Sequence, residues 1–200
     1  MEGTFAMMAT KTSPTLAAIL WPASTHGLLR SALLAIAGSA LLWVSAKVQV
    51  PFWPVPMTMQ TFVVLALGAA LGWRLGLATV ALYLLEGAVG LPVFAGTPEK
   101  GLGLAYMVGP TGGYLAGFLA GVALIGILAA RGWDRSIPWM FTAMMLGHVL
   151  ILMCGWAWLA TLIGAEKAWI AGVAPFYVAT LVKTALAALV LPAAWQFAKH

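Results

Sequence analysis

Charged residues and cysteine are scarce in this 200-residue sequence. Charged residues make up 8% of the chain and hydrophobic residues 63%, whereas soluble domains carry about 25% charged residues. The mean hydropathy of +1.01 agrees, so the composition excludes a water-soluble domain and indicates an integral membrane protein. The single cysteine, Cys154, excludes a disulfide within the chain and a thiolate metal cluster, and we expect it to serve packing.

Enzyme motifs are missing as well. The sequence has no G-x-x-x-x-G-K-[ST] loop for a nucleoside triphosphate and no G-x-S-x-G motif of a hydrolase. His26, His148 and His200 lie far apart and outside any H-E-x-x-H pattern, so we predict no metal site and interpret His148 as a core residue. We therefore predict a protein that is not an enzyme and holds no cofactor, so that any use of ATP comes from partner subunits.

Long apolar runs fill the chain instead. Uncharged stretches at 48–73, 101–130 and 136–165 each exceed the ~20 residues that cross a bilayer. Breaks at proline, glycine and charged residues predict an all-α, polytopic bundle of six transmembrane helices. The predicted helices are 28–48, 57–72, 75–90, 111–130, 138–162 and 170–197. We interpret 28–200 as one membrane domain and 1–27 as a cytoplasmic or interfacial segment, not a signal peptide.

The basic residues indicate how these helices are oriented. With the N-terminus in the cytoplasm, the basic residues on the inner side are Lys11, Arg30, Arg74, Arg131, Arg135 and Lys199. Those on the outer side are Lys47, Lys100 and Lys167, and Lys183 lies within the last span. This distribution follows the positive-inside rule and predicts that both termini are cytoplasmic.

Spacing patterns predict how the helices pack. The short segment 72–76, GWRLG, is so tight that the second and third helices should form an antiparallel hairpin. Gly113, Gly117 and Gly121 recur every four residues, which lets another helix approach the fourth helix closely. A looser ridge of small residues on the first helix serves either the internal bundle or a partner protein. This ridge consists of Ser31, Ala35 and Ser39.

The stretch VQVPFWPVPMTMQT at 48–61 interrupts the helical pattern with three prolines. Since proline lacks an N–H and fixes φ, residues 51–56 should form a stiff loop. Irregular backbone at membrane depth is tolerated where it lines a cavity, so this loop and the connection 90–114 predict a pocket on the outer side. The expected apolar walls are Trp53, Phe94, Tyr106 and Tyr114. The expected polar contacts are Gln60, Thr180 and Lys183.

Lys183 is the most informative polar residue of the sequence. It lies eight residues after Pro175, which is ~12 Å into the last span, where a charge is costly and commonly functional. Two interpretations of Lys183 remain open: it contacts a ligand, or it has a structural role in which it snorkels to the interface or pairs with Glu86. Glu86 itself is either a solvated interfacial carboxylate or a further ligand contact.

Four motifs of this chain resemble those of a known family. VPFWPVPMTMQT, GAVGLPVFAG, GPTGGYLAGF and PFYVATLVK occur in the order found in the BioY family of biotin-specific substrate-binding components of energy-coupling factor (ECF) transporters. The resemblance runs from about residue 30 to the C-terminus. It implies a six-helix protein of the bacterial cytoplasmic membrane that captures biotin from outside. It also implies a transmembrane coupling protein and two ATPase subunits as partners, with Ser31, Ala35 and Ser39 meeting the coupling protein.

The sequence departs from the family pattern in the last helix. The family usually carries G-D-x-x-K there, and this chain keeps Lys183 but has Thr180 in place of the acid. A hydroxyl accepts a weaker hydrogen bond than a carboxylate, so Glu86 or Glu99 is the expected replacement acceptor. Lys100 is the expected contact to the biotin carboxylate. The departure leaves two alternatives open: a substrate component for another vitamin or small heterocycle, and an assembly or scaffold membrane protein without a ligand.

Overall fold

The structure is a computed structural model that describes residues 14–22, 27–50 and 53–198. Its helices are α1 Leu16–Leu20, α2 Gly27–Lys47, α3 Gln60–Ala88, α4 Gly103–Met107, α5 Gly112–Ala130, α6 Ile137–Ile163, α7 Ala165–Gly172 and α8 Tyr177–Phe197. Two short strands, β1 Gln49–Val50 and β2 Met57–Thr58, and two 3-10 turns, Trp133–Arg135 and Ala174–Phe176, complete the described part. The predicted all-α membrane bundle is confirmed apart from the two strands.

Within the described residues, five helical segments are long and apolar enough to cross a membrane, and α3 contains two arms. Gly72 breaks α3 with φ +78° and ψ 170°, a conformation that glycine adopts without steric cost. The Gln60 and Tyr83 side chains hydrogen-bond at 2.7 Å, although 23 residues of straight helix would separate them by about 35 Å. The two arms therefore run antiparallel, which confirms the predicted hairpin and gives six crossings.

The prediction that the second helix begins at residue 57 is wrong. Met57 and Thr58 instead form β2, which pairs antiparallel with β1 in the register Gln49↔Thr58 and Val50↔Met57. The helix begins at Gln60, and the proline-rich segment connects the two strands. We call β1, β2 and the described part of their connection, residues 53–56, the ribbon, and the end of the bundle that carries it the ribbon end.

The predicted last helix, 170–197, is also interrupted. Helix α7 ends at Gly172, a 3-10 turn follows, and α8 begins at Tyr177. Pro175 lies in that turn, and its ring and missing N–H oppose a continuous helix at this position. Lys183 therefore lies in the second turn of α8, close to the ribbon end.

A glycine face on α5, formed by Gly113, Gly117 and Gly121, brings α5 against α6. A Cβ atom at Gly117 would lie 3.0 Å from the Ile151 Cα, and one at Gly113 would lie 2.5 Å from the Cys154 carbonyl oxygen. Only a residue without a side chain permits such backbone approach, so the predicted close packing is confirmed.

The end of the bundle opposite the ribbon collects the turns after α5 and within α3. Arg30 donates to the Ala17 carbonyl at 2.6 Å and thereby attaches the short helix α1 to α2. The buried Asp134 accepts a 2.6 Å hydrogen bond from Trp195 Nε1. Of the predicted segment 1–27, residues 1–13 and 23–26 lie outside the described residues, as do Lys11, His26, Lys199 and His200.

Candidate functional site

A cavity of about 50 Å³ lies at the ribbon end, between α3, α5, α6 and α8. The ribbon forms one of its walls, and the segment after α3 forms another. Its lining residues are Val55, Pro56, Thr58, Gln60, Thr61, Phe94, Ala95, Tyr106, Thr111, Tyr114, Leu115, Phe118, Leu152, Phe176 and Lys183. The lining therefore combines several aromatic rings with a small number of polar groups, which is typical of small-molecule sites.

The Lys183 side chain connects α8 to the ribbon. It is 7% exposed, and its Nζ donates to the Thr58 carbonyl at 2.6 Å and to Thr61 Oγ1 at 3.1 Å. Both acceptors are uncharged oxygens. An ammonium group has three protons, so these two contacts leave one for a further acceptor. The alternative pairing with Glu86 is not found, because Glu86 Oε2 accepts a 2.5 Å hydrogen bond from Ser39 instead.

Gln60, the first residue of α3, is held by a buried hydrogen-bond chain. Its Nε2 donates to the Tyr83 hydroxyl at 2.7 Å, and that hydroxyl donates to the Val93 carbonyl at 3.0 Å. At the other end of the amide, Gln60 Oε1 lies 3.5 Å from Thr58 Oγ1, which lines the cavity. The sequence patterns predicted Gln60 but not Tyr83 or Thr58, because the Gln60–Tyr83 and Lys183–Thr58 contacts join residues that are far apart in the chain.

Aromatic side chains form another part of the cavity wall. Phe94 stacks on Tyr106 with ring centroids 4.9 Å apart, and it packs edge-to-face with Tyr83 with ring centroids 5.5 Å apart. The Tyr106 hydroxyl donates to the Ala95 carbonyl at 2.8 Å, and burial raises the pKa of this phenol, so it stays a neutral donor. Tyr114 donates to the Gly172 carbonyl at 2.6 Å, which joins α5 to α7. These bonds hold the rings in place.

Four of the predicted ligand contacts lie elsewhere. Thr180 lines a separate apolar groove between α6, α7 and α8, although it is only three residues from Lys183. Trp53 is 84% exposed, Lys100 is exposed, and Glu86 bonds to Ser39. The structure thus brings together Gln60, Phe94, Tyr114 and Lys183.

The residues of the small-residue ridge on α2 lie in two different environments. Ser39 is 1% exposed and bonded to Glu86 between α2 and α3, so its side chain serves the internal bundle here, and its contact with a partner stays a prediction. Ser31 and Ala35 are half-buried, and Ser31 Oγ donates to the Gly27 carbonyl at 2.9 Å. Their contact with a partner stays a prediction.

His148 occupies the core next to α8. Its Nδ1 lies 2.9 Å from the Met144 carbonyl oxygen and 3.2 Å from Thr184 Oγ1, and the residue is 1% exposed. This placement agrees with the interpretation of His148 as a core residue. Over residues 14–22, 27–50 and 53–198, no group of three or more His, Cys, Asp or Glu side chains is arranged to hold a metal ion.

Comparisons with known proteins match nearly the whole chain. The sequence model of the BioY family matches residues 9–200. A probable biotin transporter BioY of Pyrococcus horikoshii is 39% identical over 151 residues, which is 76% of this chain and 87% of the relative. A biotin transporter BioY of Thermotoga maritima is 40% identical over 153 residues, which is 76% of this chain and 88% of the relative.

A solved structure shares the fold. It is the crystal structure of the S-component for biotin from an ECF-type ABC transporter, and it superposes with a TM-score of 0.72. The match covers 87% of this chain and 95% of that chain at 21% sequence identity. At this identity the likeness shows the arrangement of the helices and does not identify the ligand.

Proposed function

Because the chain belongs to the BioY family, whose sequence model matches residues 9–200, we propose that it captures biotin for uptake as the substrate-binding component of an ECF-type ABC transporter. The observation that carries this proposal is the Lys183 ammonium group, which is buried at membrane depth in the wall of an aromatic cavity. Charges at such depth are costly and mark ligand or ion pathways.

The polar groups of the cavity complement the urea head of biotin. A cyclic urea presents one carbonyl oxygen that accepts hydrogen bonds and N–H groups that donate them. Lys183 has a proton to donate to the urea oxygen, and such a charge-assisted bond is about twice as strong as a neutral one. Gln60 Oε1 accepts from an N–H. Phe94 and Tyr114 contact the apolar ring and the aliphatic chain.

Binding requires the ribbon to move outward. The cavity of about 50 Å³ is smaller than the ~300–1,000 Å³ typical of small-molecule pockets. The wall formed by Val55, Pro56 and Thr58 belongs to the ribbon, whose two strands are joined by two residue pairs, whereas the other walls are transmembrane helices and their connections. Displacing this wall releases the Thr58 carbonyl from Lys183, so the ammonium group exchanges one acceptor for another.

Contacts from Thr180, Glu86, Trp53 and Lys100 to the ligand stay predictions. None of these side chains lines the cavity as described. Leu115 is buried in the lining, which makes that part of the cavity apolar.

We further propose that the ribbon end faces the outside of the bacterial cytoplasmic membrane and that both termini are cytoplasmic. Support comes from Arg74 in the turn of the α3 hairpin and from Arg131 and Arg135 after α5, which place positive charge at the opposite end. A transmembrane coupling protein and two ATPase subunits supply the energy of ATP hydrolysis. Helix α2, the least buried of the candidate spans, offers Ser31 and Ala35 to the coupling protein.

A calorimetric titration of the purified protein with biotin, after removal of any co-purified ligand, tests this function. We expect saturable binding of one biotin per chain, without displacement by other vitamins. Displacement by a different heterocycle would assign the protein to another substrate. A folded sample that binds no vitamin of the panel would favour an assembly or scaffold role.

A further inference from the structure

Tyr83 is a buried residue next to the site, and it is not one of the proposed ligand contacts. It lies in the second arm of α3, is 0% exposed, and is absent from the residues that line the cavity. Its phenol nevertheless bonds directly to Gln60, which lines the cavity. Tyr83 therefore reaches a ligand only through the Gln60 amide.

The directions of the hydrogen bonds determine which end of that amide faces the cavity. A phenol has a single proton, and Tyr83 donates it to the Val93 carbonyl at 3.0 Å. The lone pairs of the same oxygen are then available, and they accept from Gln60 Nε2 at 2.7 Å. The NH₂ end of the amide consequently points at Tyr83, and Oε1 points toward Thr58 on the cavity wall.

Reversing the amide would break this chain. Gln60 Oε1 would then face the Tyr83 oxygen, and the phenol would have to withdraw its proton from the Val93 carbonyl to bond it. A buried carbonyl would be left unpaired, which is unfavourable. The contact from Thr58 Oγ1 to Gln60 Oε1 is long, at 3.5 Å, so Oε1 keeps its capacity to accept a stronger bond.

We propose that Tyr83 is a positioning residue that holds the Gln60 carbonyl oxygen toward the cavity as an acceptor for a ligand N–H, an inference that rests on the proposed function. With Lys183 as the donor, the site then offers a partner to both the N–H and the C=O of the ligand. A ligand whose N–H is replaced by a group without a proton leaves Oε1 unpaired and is rejected.

A double-mutant cycle on the full chain tests the role of Tyr83. The affinities for biotin, and for biotin methylated at each urea nitrogen in turn, are measured for wild type, Tyr83→Phe, Gln60→Ala and the double variant. We expect Tyr83→Phe to bind biotin about tenfold more weakly and to lose most of the preference for biotin over one methylated analogue. In the Gln60→Ala background, Tyr83→Phe should change neither quantity.

Tyr106→Phe is the matched control, because it removes another buried phenol that also bonds to a carbonyl but does not touch Gln60. Its effect should add to that of Gln60→Ala, and the preference for biotin should persist. If Tyr83→Phe keeps the preference, or weakens binding equally without Gln60, the positioning role is wrong. Absence of biotin binding by the wild type overturns the proposed function and this inference together, whereas binding with uncoupled variants overturns only the inference.

Discussion

Alanine substitutions along the glycine face of α5 should destabilise the protein in a graded order set by the atoms of α6. At Gly113 a new Cβ would meet the Cys154 carbonyl oxygen at 2.5 Å, and at Gly117 it would meet the Ile151 Cα at 3.0 Å. These neighbours are backbone atoms that cannot move aside. At Gly121 the nearest atoms, at 3.0 Å, are Cδ1 and Cγ1 of the Ile151 side chain, which give way more easily than backbone atoms.

Two opposing free-energy changes set the magnitude. Replacing glycine by alanine inside a helix is favourable by about 1 kcal/mol, and forcing an extra carbon into a packed interface costs about 1–3 kcal/mol. Gly113→Ala should therefore lose about 1–2 kcal/mol and Gly117→Ala less, whereas Gly121→Ala should be near neutral. Gly27→Ala, at the first residue of α2 and with no atom of the described residues within 4 Å, is the control that introduces no clash with them.

Thermal unfolding of the detergent-purified variants, followed by tryptophan fluorescence, measures this order. A loss of 1–2 kcal/mol corresponds to a decrease of about 2–8 °C in Tm for a chain of this size. We expect Tm to rise along the series Gly113→Ala, Gly117→Ala, Gly121→Ala. If Gly113→Ala is as stable as Gly27→Ala, then α5 and α6 do not approach as closely as the structure indicates, and the packing argument is refuted.

Further predictions concern the ribbon and the opposite end of the bundle. Replacing Pro54 and Pro56 with alanine should loosen the ribbon and accelerate biotin release in stopped-flow measurements; unchanged dissociation would mean that the prolines do not restrain the site. Burial raises the pKa of the Asp134 carboxyl, so the stability contributed by its protonated form is lost as pH rises from the usual value through the raised one. Trp195→Phe removes the donor to the charged form and should therefore lower Tm more at about pH 8 than at about pH 4, whereas equal losses would contradict this role.

The helices and their tightest contacts could be predicted from local sequence patterns. Gly72 and Gly76 bracket a charged turn between apolar runs, and a chain with that pattern in a membrane has to reverse direction. The spacing of Gly113 and Gly117 likewise places both residues on one helix face. Such features depend on residues that are close in the chain, so they can be predicted from the sequence without knowledge of the fold.

Which residues line the cavity depends instead on contacts between residues that are far apart in the chain. Lys183 bonds to Thr58 and Thr61, which are 125 and 122 residues away. Thr180 and Lys183 are only 60° apart around a helix, yet Lys183 lines the cavity and Thr180 lines a separate groove. Sequence spacing alone does not distinguish these two positions. The packing of α2 beside α3, which brings Ser39 to Glu86, has no signature in the sequence, so the sequence alone leaves Glu86 among the candidate ligand contacts.

The most direct measurement of the central claim is a biotin titration of Lys183→Ala beside wild type and Lys167→Ala. Lys167 is an exposed lysine of α7 away from the cavity, so its removal controls for the loss of positive charge. We expect Lys183→Ala to weaken biotin binding by about tenfold to a hundredfold, as for a lost charge-assisted bond, and Lys167→Ala to bind like wild type. Full biotin affinity in a folded Lys183→Ala protein would contradict the assignment of this cavity as the biotin site.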